Sequence, residues 1–480
     1  NIGELMAIIL PANTLTGGYE VANSCRFNRA DSPKHEKDLG TSTDDKKHTF
    51  SCWFKKCENS VDSSEHGLMN STVDANNFVN CMFHSSDTFQ YFAKIGGSTA
   101  MQLKTSSLFR DPSAWYHIVV GVDTSQSTDT NRVKIYINGT QVTSWVTETY
   151  PDQDAVLDTN ESGADIQIGC MRGPDHYFHG YMAEVVFIDG LQYAASDFGE
   201  FNEDSPTIWQ PKDVSGLTFG TNGFYLDFEA SDNLGNDANG GTDLDETNIA
   251  AIDQCVDSPT NNFCTMNSLD NYIPGSTFLE GNCVITSQST GYQYNTGTFG
   301  LTAGKWYYEM KMTENAQADI VGIAGRVSGS SLHYLGYYDD GWGYHSYDGK
   351  YKNDNTGTTY GDTWVTNDTI VGVYIDLDNN KLYFSKNGTI QNSGTGISIT
   401  DPASVSDGAY FPAVGDNWNA ETGTYHMNFG NPTYTGTDQA DANGYGSFEY
   451  DPSDGGNSSF DSAAKDFLAI CSKNLGSDGG

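Results

Sequence analysis

The sequence predicts an all-β chain: two antiparallel β-sandwich domains in tandem, closed by a short C-terminal tail. Three observations carry this. Asp368–Ile390 reads as a strand, a polar turn, a second strand and an Asn-Gly turn, and Trp115–Val142 repeats the plan. Glycine is abundant, at 52 residues, and aromatics make up 12 %, as many short strands joined by tight turns require. Helical periodicity is nearly absent, with Ser462–Lys473 the best helix candidate.

In the later hairpin, Ile370, Gly372, Tyr374 and Asp376 share one face and Val371, Val373, Ile375 and Leu377 the other. The second face is wholly apolar and should meet a core. From the N-terminus, Met6–Phe27 is an apolar lead-in and a strand-like run, and Lys34–Lys47 reads as a charged surface loop. His48–Lys55, Phe78–Phe83, Thr88–Lys94 and Gln102–Leu108 alternate as strands before the turn Arg110-Asp111-Pro112. After the first hairpin come Asp165–Cys170, Phe178–Asp189 and Gly220–Glu229. Asp232–Asp245 is markedly polar, and Asp257-Ser258-Pro259 interrupts the pattern. Asn282–Thr286, Lys305–Met312, Ile320–Ala324, the aromatic run Gly336–Trp364, the second hairpin, Tyr410–Val414 and Tyr425–Phe429 then build the second domain. The expected domains are residues 1–257 and 258–435, with linker and tail over 436–480.

The net charge of −39, with only 24 basic residues, leaves no basic footprint for nucleic acid and disfavours an anionic membrane. No apolar run approaches the ~20 residues that span a bilayer. Neither is there a secretory pattern: Met6–Leu10 is too short, and Arg26 and Lys34 come well after it. Asn1 is no initiator, and Met6 is a candidate start. The nine cysteines are odd in number, lack a Cys-x-x-Cys pair and sit in strand-like text, so buried thiols made in a reducing cytoplasm are expected.

Catalytic motifs are missing. Glu184 and Asp189 are the nearest carboxylates on one strand, and simple alternation puts them on opposite faces. No Gly-x-Ser-x-Gly elbow occurs, and Gly300–Trp306 fails as a phosphate loop. No enzyme and no required cofactor is expected. Calcium is a candidate ligand of Asp232, Asp237, Asp243 and Asp245, which crowd a loop rich in Asn and Gly, although the spacing is not that of an EF-hand and a solvated turn explains it as well. The best binding candidate is Gly336–Trp364. Aromatic faces hold the C–H groups of sugars, and carboxylates and amides bond their hydroxyls. The residues expected to bind a glycan are Tyr337, Tyr338, Trp342, Tyr347, Tyr351 and Asp354, joined by Trp418 from a later loop.

Two stretches resemble known families. Trp115–Val142, Gly180–Gly190 and Gly223–Phe228 are similar to laminin-G-like, concanavalin A-like lectin domains, where a Trp-x-His strand leads through Asp to a second strand and Asn-Gly. Lys305–Gly430 resembles SPRY domains through Lys305–Glu309, Trp342-Gly343-Tyr344, Gly361-Asp362, Ile370–Leu377, Leu382–Gly388 and Tyr410–Ala413. It departs at Asp368, where that family has Gly-Asp. Both resemblances imply antiparallel jelly-roll or concanavalin A-like sandwiches. The second also implies a core role for Trp342, Tyr344 and Trp364, and the first a calcium position beside Asp123. The order of these blocks, with Met6–Val21 ahead of them and Phe467–Cys471 after, resembles structural proteins of marine tailed bacteriophages, tail fibres or other virion appendages. That resemblance implies a virion protein assembled in the host cytoplasm, partnered by host-surface glycan and other virion proteins, as a homo-oligomer such as a trimer. A secreted or surface bacterial glycan-binding protein, a glycoside hydrolase-like enzyme and a ligand-free decoration protein are the alternatives.

Overall fold

The computed structural model describes residues 18–58, 65–172, 176–203, 205–271, 275–288, 291–327, 333–417, 421–452 and 466–478. The described residues divide into two compact units, 18–260 and 261–478. Strands dominate both, and nearly all pair antiparallel.

In the first unit two eight-stranded sheets face each other. One has Lys47–Lys56 at its centre, flanked by Trp115–Asp123 and Gly180–Asp189. The other runs through Ser98–Leu108, Thr88–Ile95, Asn77–Phe83, His66–Asp74, Asp165–Ile168 and Lys34–Asp38. Phe50, Phe54, Ile118, Val120, Met182, Val185 and Phe187 meet Met69, Cys81, Tyr91 and Leu103 between them. Lys34–Asp38 corrects the expectation of a surface loop. Its charges hide a strand: His35 is fully buried between the rings of Phe27 and Phe228, while Lys34 pairs with Glu36. Lys37, on the face of His35, holds its ammonium 5.6 Å from the centroid of the Phe224 ring and 4.0 Å from Asp237. Burial pushes His35 down to about 3, so it is neutral.

Gly180–Asp189 is buried along all ten residues. Its outer face is covered by Ala195, Phe198, Val214 and Phe219. A bulge between Ala183 and Val186 places both on that outer face, and Glu184 within it has φ +49°. The Glu184 carboxyl lies 2.9 and 2.8 Å from the Tyr225 hydroxyl, which is 3.2 Å from that of Tyr19.

The second unit pairs a nine-stranded sheet with a six-stranded one. Lys305–Glu314 and Thr369–Asp376 lie side by side in the larger sheet, with Trp306 opposite Ile375 and Tyr308 opposite Val373. Trp306, Tyr308, Met310, Val371, Val373 and Ile375 face the core between the sheets, as the apolar face of the hairpin requires. The opposite face is buried too. Tyr307, Tyr374 and Tyr383 are capped by Phe448 and Phe467, from residues expected as linker and tail. Leu468–Ala469 adds to Trp306–Tyr307 in parallel, and the helix starts only at Ser472, later than expected. An alternating strand flanked by a polar, glycine-rich run could not reveal this cover.

One buried carboxylate fastens it. Glu309 accepts hydrogen bonds from the Tyr307 and Tyr434 hydroxyls, the Asn428 amide and the backbone N–H groups of Glu449 and Tyr450, at 2.9 to 3.2 Å. Both Asn-Gly turns have positive φ at Asn and Gly: +46° and +76° at Asn138-Gly139, +46° and +74° at Asn387-Gly388. In each, the Asn side-chain oxygen accepts a backbone N–H of the adjacent strand, from His117 and from Ile370.

Glu309→Ala leaves several donors without an acceptor and should cost about 3–5 kcal/mol, read by urea unfolding. A loss below about 1 kcal/mol would show that the five bonds do not hold the cover. Glu184 is pushed up from 4.5 to about 8, first by burial and then by Asp227 and Glu229, against the Tyr225 bond. The folded state therefore holds a proton that the unfolded chain releases, and stability should fall as pH rises through that window. Asp158, raised by burial and Glu161, acts in the same direction. Melting temperatures across the window should decline less steeply in Glu184→Gln, and an unchanged slope would refute the assignment.

Candidate functional site

The outer face of the six-stranded sheet carries an apolar patch of Tyr294, Ile320, Ala324 and Ala413. Residues 333–340 dock there through Leu335, which is fully buried. The docking needs two glycines. A Cβ on Gly343 would stand 2.5 Å from Ile320 and 3.2 Å from Leu335, and Gly336 combines φ +87° with the Lys352 carbonyl 2.3 Å from where its Cβ would be.

This anchorage leaves a cluster of rings half-exposed. His333 stacks on Tyr337 at 3.7 Å and 3°. Tyr338 meets Tyr337 edge-on at 5.1 Å, as does Tyr334 at 5.8 Å, and Tyr292, 40 % exposed, extends the row beyond Tyr334. The guanidinium of Arg326 lies over the Tyr338 ring at 4.3 Å. Asp340 holds Arg326 from below with both carboxylate oxygens, at 2.9 and 2.8 Å, and takes the Ser406 hydroxyl as well. Burial alone would raise Asp340, yet the bonds from Arg326 and Ser406 hold it below the usual carboxylate range. The Tyr334 hydroxyl donates to Asn355, and the Asn353 amide donates to the carbonyls of Asp339 and Gly341. The result is a ring surface with fixed orientation, edged by the exposed Asp339 and Asp354.

Of the residues expected from sequence, Tyr337, Tyr338 and Asp354 belong to this surface. Trp342 does not: it is 4 % exposed and packs edge-on against Tyr410 in the core. The strand Gly341–His345 alternates, so Trp342 and Tyr344 point inward while Gly343 underlies the loop. Tyr351 pairs with Tyr344 across the sheet and leans on the same core, against Tyr360. Tyr347, 67 % exposed, stands in the turn after that strand. Trp418 lies outside the described residues. Arg326, Tyr292, His333 and Tyr334 were not singled out from sequence. Tyr334 stands three residues before Tyr337, with His333 beside it, a signal that could have found that pair, whereas Arg326 and Tyr292 arrive from the ends of other strands.

The four aspartates proposed for calcium are not brought together. Asp237 is buried and accepts the backbone N–H of Tyr225 at 2.9 Å and of Asn239 at 3.1 Å. Asp243 accepts from Asn233 and from the Asp237 N–H, and Asp245 pairs with Glu36 in a strand. Asp232 is exposed. Among the described residues no three His, Cys, Asp or Glu side chains converge to hold a metal ion.

Residues 305–432 match the SPRY domain, and residues 32–191 match the concanavalin A-like lectin/glucanases superfamily. The chain thus carries a lectin-like domain of concanavalin A type followed by a SPRY domain. Among solved structures, the SPRY domain of human HERC1 is 19 % identical over 30 % of this chain and 86 % of its own, with a TM-score of 0.25. Domain 4 of AbnA, a GH43 extracellular arabinanase from Geobacillus stearothermophilus solved with arabinotriose, is 18 % identical over 32 % of this chain and 65 % of its own, with a TM-score of 0.24. The heptameric SAP-like pentraxin of Limulus polyphemus is 11 % identical over 37 % and 80 %, with a TM-score of 0.28.

The division between core and surface aromatics has a direct test. Trp342→Ala should cost about 3–5 kcal/mol by removing a buried ring, whereas Tyr347→Ala should change stability by less than about 0.5 kcal/mol. Equal effects in chemical denaturation would contradict the placement.

Proposed function

We propose that this chain, a concanavalin A-like lectin domain followed by a SPRY domain, is a non-enzymatic structural protein of a tailed-phage virion appendage that binds glycan on the host surface. The observation that carries glycan binding is the fixed, half-exposed surface of Tyr337, Tyr338, His333 and Tyr334 on the SPRY domain. Ring faces take the C–H side of a sugar, and Asp339, Asp354 and Asn355 at its margin take hydroxyl groups. The surface is open, so it suits a residue within a longer polysaccharide. Single contacts of this kind are weak, and repetition across a homo-oligomer such as a trimer, and across the particle, supplies the avidity. The virion role is supported by the order of the two domains and their flanking motifs along the chain. The acidic composition fits a particle protein that must remain soluble at high local copy number.

A glycan array probed with the full chain tests the reading. At least one bacterial surface polysaccharide should be retained, and Tyr337→Ala combined with Tyr338→Ala should weaken it about tenfold or more with little change in melting temperature. No retained glycan, or retention indifferent to the double variant, would refute it. Antiserum to the chain should decorate intact particles from a source lysate, and unlabelled particles would refute the virion role.

A further inference from the structure

The first unit carries a second aromatic site, on the outer face of its bulged sheet. Gly199–Phe201 and Trp209–Pro211 form a two-stranded ribbon in which Phe201 stands opposite Trp209. Their rings meet edge-on at 4.9 Å. With Tyr136 they wall a cavity of about 430 Å³, within the roughly 300–1,000 Å³ of small-molecule sites. Small residues, among them Gly139, Ala194 and Gly199, line the rest, and Glu200 and Lys212 supply its charged groups.

Three features show that the Trp209 ring is held in place. Its indole N–H donates to Nδ1 of His117 at 2.9 Å, and His117 Nε2 lies 2.9 Å from the Ser51 hydroxyl. With Nδ1 accepting, the proton sits on Nε2 and goes to Ser51. Burial pushes His117 down to about 3, so it stays neutral and this arrangement persists over ordinary pH. His117 is itself stacked on Trp53 at 4.6 Å, and the indole lies within 21° of the imidazole plane with centroids 6.0 Å apart, as an in-plane hydrogen bond requires. Finally, a Cβ at Gly139 would stand 2.3 Å from the Trp209 ring, and one at Gly199 2.6 Å from it, so both positions are cleared to the backbone to admit the indole. Despite this investment Trp209 stays half-buried, and Phe201 is 44 % exposed.

We infer that this cavity binds one neutral pyranose residue, with the sugar's C–H face against Trp209, Phe201 and Tyr136. Glu200 accepts from its hydroxyl groups and Lys212 donates to them. The two opposite charges at one cavity favour a ligand that is both donor and acceptor and carries no net charge. An anionic sugar would also meet the repulsion of a chain with net charge −39. The site is separate from the SPRY-domain surface and does not depend on it.

Saturation-transfer NMR on the full chain, with the methyl glycosides of glucose, galactose, mannose and N-acetylglucosamine at millimolar concentration, tests the proposal. At least one should receive saturation. Phe201→Ala and, separately, Glu200→Gln should weaken its affinity about tenfold. Both positions are exposed, so melting temperatures should stay near that of the unaltered chain. The double variant at Tyr337 and Tyr338 should leave this signal intact. No saturation of any of the four glycosides, or a signal lost in the Tyr337 and Tyr338 variant but kept in Phe201→Ala, would overturn the inference.

Discussion

Each unit contains a central strand buried on both faces, and most of the unusual chemistry of the chain follows from that. Gly180–Asp189 in one and Thr369–Asp376 in the other have no solvent side. Their outer faces are covered by irregular chain, whose backbone N–H groups cannot all find partners in a ladder and need acceptors of another kind. Buried carboxylates provide them. Glu309 takes the N–H groups of Glu449 and Tyr450, Asp441 those of Asn443, Tyr445 and Ala469, and Asp189 those of Thr43, Thr221 and Asn222. Asp257 does the same with side chains, receiving Lys55 at 2.8 Å and the Trp115 indole at 3.0 Å. Part of the acidity is therefore internal fastening, and solubility accounts only for the exposed remainder.

The two Asn-Gly turns are built alike and covered alike. In the first unit Gly139 lies under the Trp209 ring; in the second, a Cβ at Gly388 would come within 2.6 Å of the Tyr450 ring. Glycine at these positions thus satisfies two constraints at once, the left-handed backbone of the turn and the space for a ring above it. The fastenings differ. Tyr450 is held by its backbone N–H to Glu309, and Trp209 by its indole N–H to His117. A ring held through its own side chain is fixed in orientation as well as position, and that is the state a binding wall needs.

Alternation and turn chemistry made the scaffold legible. The apolar face Val371, Val373 and Ile375 meets the core, and Asn138-Gly139 and Asn387-Gly388 close their hairpins with positive φ. What escaped has physical reasons. His66–Asp74 carries apolar side chains only at Leu68, Met69 and Val73, so no period of two shows. Lys34–Asp38 is charged at four of its five positions, and a neutral histidine is hidden among them. The bulge at Glu184 shifts the facing of every residue after it, so counting in twos along Gly180–Asp189 fails at that point. Within the aromatic run, Trp342 and Tyr338 are chemically alike to a reader of sequence. Only the register of Gly341–His345 and the docking of Leu335 separate core from surface.

The same separation explains where recognition can reside. Inner-face rings such as Trp306, Tyr308 and Trp364 are fully buried, and altering them alters the fold. The covering chain obeys a looser rule: it must bury anchors such as Leu335 or Phe198 and satisfy its N–H groups, and its remaining side chains are free to vary. Rings placed there inherit the rigidity of the sheet beneath without being consumed by its core. Tyr337 and Tyr338 gain it through Leu335 and the Arg326–Asp340 pair, and Trp209 through His117. A doubly covered sandwich is therefore a scaffold on which binding surfaces can diverge while the alternation underneath stays constant, because the carboxylates that secure the cover bond to backbone and leave its outward side chains unspecified.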